Sequence, residues 1–405
     1  MNKTPVSNRT HISIYGKRNA GKSSLMNAII GQDIAIVSDV KGTTTDPVKK
    51  TMELLPHGPV VFIDTAGLDD KGKLGKLRVE SSMKILQRTD FGIYLVDSTD
   101  VDKKSIEEFK ENFNKLNIPH LVVFNKTDLI SDKKLNNLKS KYPKSEFIST
   151  NNLKDVIDLK QRLIKELKDN KDETIVGDLL DYGSKVIMVV PIDSEAPKGR
   201  IILPQVQMIR DCLDHGIKSY VVRDTELESS LKDLDDIDLV ITDSQAFKRV
   251  DKIVPDNIKL TSFSILFARF KGGKLDAFLD GIKAIDKLDK NSNVLISESC
   301  THNFSHEDIG RVKIPNWFES YKGHKINFDF KMGHDFPTEL EKYDLVIHCG
   351  ACMVNPKTVK TRIQLCNEKN IPITNYGLII AYFTNILDRS IEVFDKNEKI
   401  SSKIN

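Results

Sequence analysis

Gly16-Lys17-Arg18-Asn19-Ala20-Gly21-Lys22-Ser23 reads GxxxxGK[ST], between an apolar run, HISIY (11–15), and a helical pattern, SLMNAII (24–30). The motif needs this context, because a strand delivers the loop and a helix N-terminus receives it. Glycines at 16 and 21 let backbone N–H groups close round phosphate oxygens, with Ala20 between them. Lys22 adds a point charge, and the Ser23 hydroxyl, with Ser24 beside it, faces the place of a Mg²⁺ ion. A P-loop nucleotide fold at the N-terminal end follows.

Two further motifs stand at strand ends. Asp64-Thr65-Ala66-Gly67 closes VVFIDT, where Asp64 can hold Mg²⁺ through water and the Gly67 amide can sense a γ-phosphate. Asn125-Lys126-Thr127-Asp128 closes HLVVFNK. Its Asp128 carboxylate can accept guanine N1–H and the 2-amino group, which adenine does not offer, so the nucleotide is GTP. Ser149-Thr150-Asn151 occupies the place of the loop behind the base. The strand patterns HISIYG, VVFIDT, FGIYLVD, HLVVFNK and SEFIST alternate with helical ones up to Leu153–Leu167, which predicts a parallel α/β unit. The polar stretch 168–178 reads as a linker. A second series starts at KVIMVVPID (185–193) with YVVRD and DLVITD, and a third comprises NVLISES, KINFDF, DLVIHC and PITNY. The expected architecture is a P-loop GTPase domain over 1–170 and two further α/β domains with mainly parallel sheets, over 180–262 and 263–405.

A chain of 405 residues is long for one core. Lys plus Arg (61) barely exceeds Asp plus Glu (58), so composition offers no basic excess for a nucleic-acid partner. No run approaches the ~18–20 apolar residues of a membrane span, and no apolar signal core precedes the first strand, so a cytoplasmic place with reduced thiols is expected. Cys212 and Cys366 fall in helical patterns among leucines and isoleucines and read as core. Cys300-Thr301-His302 follows NVLISES, and His348-Cys349-Gly350-Ala351-Cys352 follows DLVI. Both groups therefore sit at carboxyl ends of predicted parallel strands, where α/β sheets open their crevice. A CxxC turn, with Gly350 easing the bend, brings two thiolates to one metal. Three cysteines and a histidine suit zinc. Three cysteines also suit a [4Fe–4S] cluster whose fourth iron takes another ligand. His302, His348 and Glu307, the last near the start of the helical pattern SHEDIGRV, are candidates for that place. Residue chemistry leaves both metals open.

The nucleotide motifs resemble those of the TrmE/Era group of translation-factor-like GTPases, and Val40-Lys41-Gly42-Thr43-Thr44-Thr45-Asp46 is similar to that group's switch sequence GTTRD. The resemblance implies that Thr44 closes on Mg²⁺, although Thr45 stands where the group has arginine. It also implies a K⁺ ion at Asn19 that bridges the phosphates. Leu68 stands where Ras-like proteins place a water-orienting glutamine, and leucine cannot orient water, so slow intrinsic hydrolysis is expected. Lys22, Asn19, Thr44 and Gly67 are thus the candidate catalytic set. A GTPase domain followed by CxH and HCxxC, with 46 residues separating His302 from Cys349, resembles the HydF family of [FeFe]-hydrogenase maturation GTPases over nearly the whole chain. That resemblance implies a homodimer through 180–262 and a [4Fe–4S] cluster on Cys300, Cys349 and Cys352. It further implies a transient di-iron precursor, built with two radical-SAM maturases and passed to apo-[FeFe]-hydrogenase, with no nucleic-acid or membrane partner. The alternative is an RNA-modification or ribosome-assembly GTPase with a structural zinc site.

Overall fold

The computed structural model describes residues 4–31, 48–65, 84–167, 173–192, 199, 201–299, 308–337 and 339–394. The N-terminal unit, residues 1–171, is built round β1 (Thr10–Tyr15), which is buried along nearly its whole length, as a central parallel strand must be. With β2 (Val48–Leu54), β3 (Gly58–Asp64), β4 (Phe91–Asp97), β5 (His120–Asn125) and β6 (Glu146–Phe147) it makes one sheet in the order β2-β3-β1-β4-β5-β6. Every pairing is parallel except β2 with β3. The helices Lys22–Ile30 and Leu153–Leu167 bury Leu25, Ile29, Leu159 and Leu163 in one core layer. The helix Lys103–Lys115 covers the other face, stacking Phe109 and Phe113 with Tyr15.

The second unit, residues 172–405, holds two four-stranded parallel sheets. One runs β10-β9-β7-β8, from β7 (Lys185–Val189), β8 (Lys218–Val222), β9 (Leu239–Thr242) and β10 (Lys259–Ser262). The other runs β12-β11-β13-β14, from β11 (Asn293–Glu298), β12 (Asn327–Met332), β13 (Leu345–His348) and β14 (Ile373–Asn375). A single apolar core, from Ile175 to Phe394, serves both sheets. The helix Phe263–Gly272, which leaves β10, lies against the helix Pro356–Glu368 of the second sheet. All the expected strands are present. Two strands were not anticipated: β2, an edge strand that begins with exposed Val48 and Lys49, and β10, of only four residues.

Part of the expected linker is structure instead. The N–H groups of Ile175, Val176 and Gly177 donate to the Asp211 carboxylate at 3.1, 2.8 and 3.0 Å, and Ile175 and Val176 are buried. The segment docks because its two β-branched residues have a core to enter and its amides have an acceptor. The described part of the SHEDIGRV segment begins at Asp308, whose carboxylate accepts from Arg311 N–H at 2.8 Å and opens a wide turn, Ile309–Lys313, before the helix Ile314–Lys322. Glu307 lies outside the described residues.

In the second sheet β11 pairs with β12 on one side and β13 on the other. The chain thus leaves β11 in one direction and returns across it, and the carboxyl ends of β11 and β13 flank a switch-point crevice. Among the described residues no helix is long and apolar enough to cross a membrane.

Candidate functional site

The P-loop leaves β1 at Gly16 (φ 147°), where a Cβ would stand 2.3 Å from the Leu95 carbonyl oxygen of β4, so no side chain fits. At its far end Gly21 (φ 96°) would place a Cβ 2.4 Å from the Asn125 amide nitrogen. These two positions explain the glycines of the motif: the loop is pressed against β4 and β5. Between them Asn19 takes the left-handed conformation (φ 64°) with its side chain exposed, and Ala20 is buried. Lys22 Nζ donates to the Gly16 and Lys17 carbonyls at 2.8 and 2.9 Å, which holds the ammonium over the loop. Ser23 Oγ donates to an Asp64 carboxylate oxygen at 2.6 Å. Burial pushes the Asp64 carboxyl up against the opposing pull of Ser23 and Lys22. The two oxygens that would flank one Mg²⁺ are therefore brought together from the helix start and from the end of β3.

Asn125 is the knot of the nucleotide edge. It is 1 % exposed; its Nδ2–H donates to Ala20 O at 3.0 Å and its Oδ1 accepts from Thr150 N–H at 3.2 Å. One side chain thus ties the P-loop to the loop behind the base. Lys126 turns left-handed (φ 61°) and donates to Asp97 at 2.6 Å. Although burial opposes it, the hydrogen bonds from Lys126 and Thr99 hold the Asp97 carboxyl below its usual range. Asp128 sits exposed on the following turn, Thr127–Leu129. Ser149 is buried, and its N–H donates to Asp155 at 2.7 Å. Thr44, Gly67 and Leu68 lie outside the described residues.

The second candidate site is the crevice between β11 and β13. Cys349, the residue after β13, donates its N–H to Ser297 O at 3.0 Å. Its sulfur lies 3.0 Å from both the amide nitrogen and the hydroxyl of Ser299, and 3.5 Å from Ala351 N. A sulfur surrounded by N–H donors is suited to carry thiolate charge. The left-handed residue of the CxxC bend is Ala351 (φ 58°), not Gly350. Cys352 is half-buried, and burial, then the neighbouring Cys349, pushes its thiol up. Cys300, His302 and Glu307 lie outside the described residues, Cys300 being the next residue after Ser299. Among the described residues no group of three or more His, Cys, Asp or Glu side chains forms a metal site.

His348 closes β13. Nδ1–H donates to Cys349 O at 2.8 Å and Nε2 accepts from the Arg362 guanidinium at 2.8 Å, so both ring nitrogens are used. Burial, then Arg362, pulls its pKa down to about 3, which agrees with a neutral ring. It serves the cysteine loop by position. Cys212 and Cys366 are fully buried, with burial pushing each thiol up to about 12, and belong to the core.

Two cations beside the loop escaped sequence reading. Lys271 is 1 % exposed and donates to Ala351 O at 2.6 Å and Val354 O at 2.7 Å, and Cys352 O lies 3.5 Å away. Arg362 is 2 % exposed and reaches Ser297 Oγ at 3.1 Å and Gly333 O at 2.6 Å besides His348. The available signal was periodicity: Phe263, Phe267 and Lys271 recur at intervals of four, as do Arg362 and Cys366. A cation on a helix's apolar stripe marks a buried charge.

A mainly parallel sheet carrying a P-loop, an Asp64 strand end and the Asn125–Asp128 loop along one edge defines a P-loop GTPase domain. Residues 11–126 match the model of the 50S ribosome-binding GTPases. Residues 175–272 match the hydrogen maturase F dimerization domain, and residues 276–393 match the hydrogen maturase F tetramerization domain. The chain belongs to the hydrogen maturase F (HydF) family of hydrogenase-maturation GTPases. Among curated relatives, the tRNA modification GTPase MnmE of Helicobacter pylori strain Shi470 is 40% identical over 150 residues, covering 36% of this chain and 33% of its own. GTPase Der of Kosmotoga olearia is 37% identical over 136 residues, or 32% of this chain and 30% of its own. The match therefore spans about a third of the length of these relatives. A crystal structure of Aquifex aeolicus Era bound to GDP and AlF4⁻ is 21% identical, covering 53% of this chain and 93% of that one. Its TM-score is 0.32. The likeness to tRNA-modification GTPases lies in the G domain, whereas the remaining chain matches hydrogen maturase F models, so the RNA-modification reading gains no support.

Proposed function

We propose that the chain is a GTP-switched iron–sulfur scaffold that carries a di-iron precursor and delivers it to apo-[FeFe]-hydrogenase. The observation that carries the metal half is the Cys349 sulfur, 3.0 Å from the Ser299 amide and hydroxyl, with Cys300 the next residue along. Cys300, Cys349 and Cys352 would then supply three thiolates at one switch-point crevice, and the donor set fits a [4Fe–4S] cluster. Glu307 or His302 would hold the fourth iron, with His348, both of whose ring nitrogens are hydrogen-bonded, supporting the loop. When bound, such a cluster supplies an iron site with an exchangeable ligand, to which the cargo can be tethered. The chain's own residues hold the thiolates in place and donate hydrogen bonds to sulfur.

In the nucleotide half, Ser23 and Asp64 take Mg²⁺, Lys22 and the loop amides take the phosphates, and Asp128 reads guanine. Ser24 continues the helix start, Lys126 covers the base, and Ser149 and Thr150 back it. Thr44 and Gly67 complete the γ-phosphate contacts, and Asn19 recruits K⁺. GTP acts on partner binding and release. The partners are two radical-SAM maturases, the apo-hydrogenase and a second copy of this chain joined through 180–262, in the cytoplasm. This reading is tested by anaerobic purification of the full chain with iron, zinc and sulfide analysis, a visible spectrum and EPR, on wild type and Cys349→Ser. Brown, iron-rich wild type and a colourless variant are expected. Colourless, zinc-loaded wild type overturns the scaffold.

A further inference from the structure

We infer that Lys271 is a positioning residue for the cysteine loop, holding the backbone of Ala351–Val354 and setting a buried positive charge beside the group the thiolates bind. The inference rests on the iron–sulfur reading for its charge effect but not for its hold on the loop.

Burying an ammonium is costly unless its donors are satisfied and its charge is balanced. An ammonium has three N–H donors, and three loop carbonyls face Lys271: Ala351 and Val354 closely, Cys352 at 3.5 Å. These carbonyls are neutral. Burial pulls the Lys271 pKa down to about 8; among the described residues no carboxylate forms an ion pair with it, and Cys352 and Cys349, as thiolates, oppose that pull. The countercharge that repays burial is therefore the negative charge of the sulfurs and whatever they hold. A uniform apolar replacement would give a cheaper helix, so the lysine is placed for the loop.

The geometry gives it two separable effects. The first is mechanical. Ala351 O, gripped at 2.6 Å, also accepts from Val354 N–H at 3.3 Å, so Lys271 secures the turn that sets the spacing of the two sulfurs. The second is electrostatic. A desolvated cation near a redox group stabilises its more negative, reduced form and raises its potential. Lys271 stands at the end of the helix Phe263–Gly272, within the segment matched by the dimerization model, while the loop lies within the tetramerization model. One side chain thus joins the two regions at the cysteines.

Three variants of the full chain separate the effects. Lys271→Met removes hold and charge, Lys271→Gln keeps two N–H donors without charge, and Lys271→Arg keeps the charge. In metal-free protein, hydrogen exchange of the Val354 amide should speed at least tenfold in Lys271→Met and stay near wild type in Lys271→Gln. Unchanged exchange in Lys271→Met overturns the positioning role. In anaerobically reconstituted protein, the EPR-monitored midpoint of Lys271→Gln should fall by at least a tenfold shift in the reduction equilibrium, about 59 mV for one electron. Lys271→Arg should restore it. A midpoint in Lys271→Gln equal to wild type overturns the charge effect. If wild type takes up no iron, the scaffold reading fails and takes the charge effect with it, while exchange still decides the hold. Should Lys271→Met not fold, exchange in Lys271→Arg against Lys271→Gln decides the same point: both must retain wild-type protection, and loss in both overturns it.

Discussion

Replacing Asn125 by alanine tests how the nucleotide edge is assembled. The amide makes two hydrogen bonds, to Ala20 O at 3.0 Å and from Thr150 N–H at 3.2 Å, and nothing else joins these loops through that side chain. Each bond contributes about 1 kcal/mol net, and a buried group left unpaired costs about 1–3 kcal/mol. Ala20 is 1 % exposed, so its carbonyl region cannot easily recover the loss from water. The truncation should therefore cost about 3 kcal/mol in total. That loss divides between the stability of the N-terminal unit and the ordering of its loops when GDP binds. If it fell wholly on binding, affinity would drop on the order of 100-fold, at 1.4 kcal/mol per decade. Thermal unfolding and a fluorescent GDP-analogue titration on the full chain measure both shares. Stability within about 0.5 kcal/mol of wild type, together with an affinity within threefold, would refute the idea that this amide ties the loops.

Asp128→Asn should lower GTP affinity by about 3 kcal/mol, roughly 100-fold, and shift preference to xanthosine triphosphate, because an amide presents a donor to the guanine edge that also donates; competition binding with GTP, XTP and ATP reads this directly. Turnover should be several-fold faster in KCl than in NaCl at equal ionic strength, and Asn19→Ala should erase the difference; cation-indifferent hydrolysis removes the K⁺ role. Cys349→Ala and Cys352→Ala should each abolish the iron–sulfur EPR signal while Cys366→Ala retains it, since Cys366 is fully buried in the core; loss of the signal in Cys366→Ala alone would make the ligand set all-cysteine.

The two sites differ in how much of them the sequence could disclose, and the reason is physical. A phosphate loop is made by consecutive residues whose backbone does the work, so Gly16–Ser23 announces itself. The same holds for Asn125–Asp128, where only the reach of Asn125 to Ala20 and Thr150 is a tertiary fact. The central strands were legible because parallel strands such as β1, β4 and β9 are buried on both faces and read as apolar runs. β2 was not, because an edge strand open to solvent tolerates lysines and loses that run. The cysteine crevice was half legible. CxH and HCxxC mark strand ends, but the residues that govern the thiolates come from elsewhere in the chain: Ser299 across the sheet, Lys271 from another helix, Arg362 through His348.

His348 shows how a residue beside a cysteine is tied into the frame round its loop. At the end of β13 successive side chains point to opposite faces, so His348 and Cys349 are directed to different sides of the sheet. The structure uses that opposite face. His348 accepts from Arg362 and donates to the carbonyl of Cys349. The histidine therefore acts on the metal loop through the backbone. Lys271 does the same from the other direction, through the carbonyls of Ala351 and Val354. Between them the backbone of the CxxC turn is held from both sides by groups that never need to touch a metal. The Cys349–Cys352 turn is thereby set in a frame of buried side chains, Lys271, Arg362 and His348.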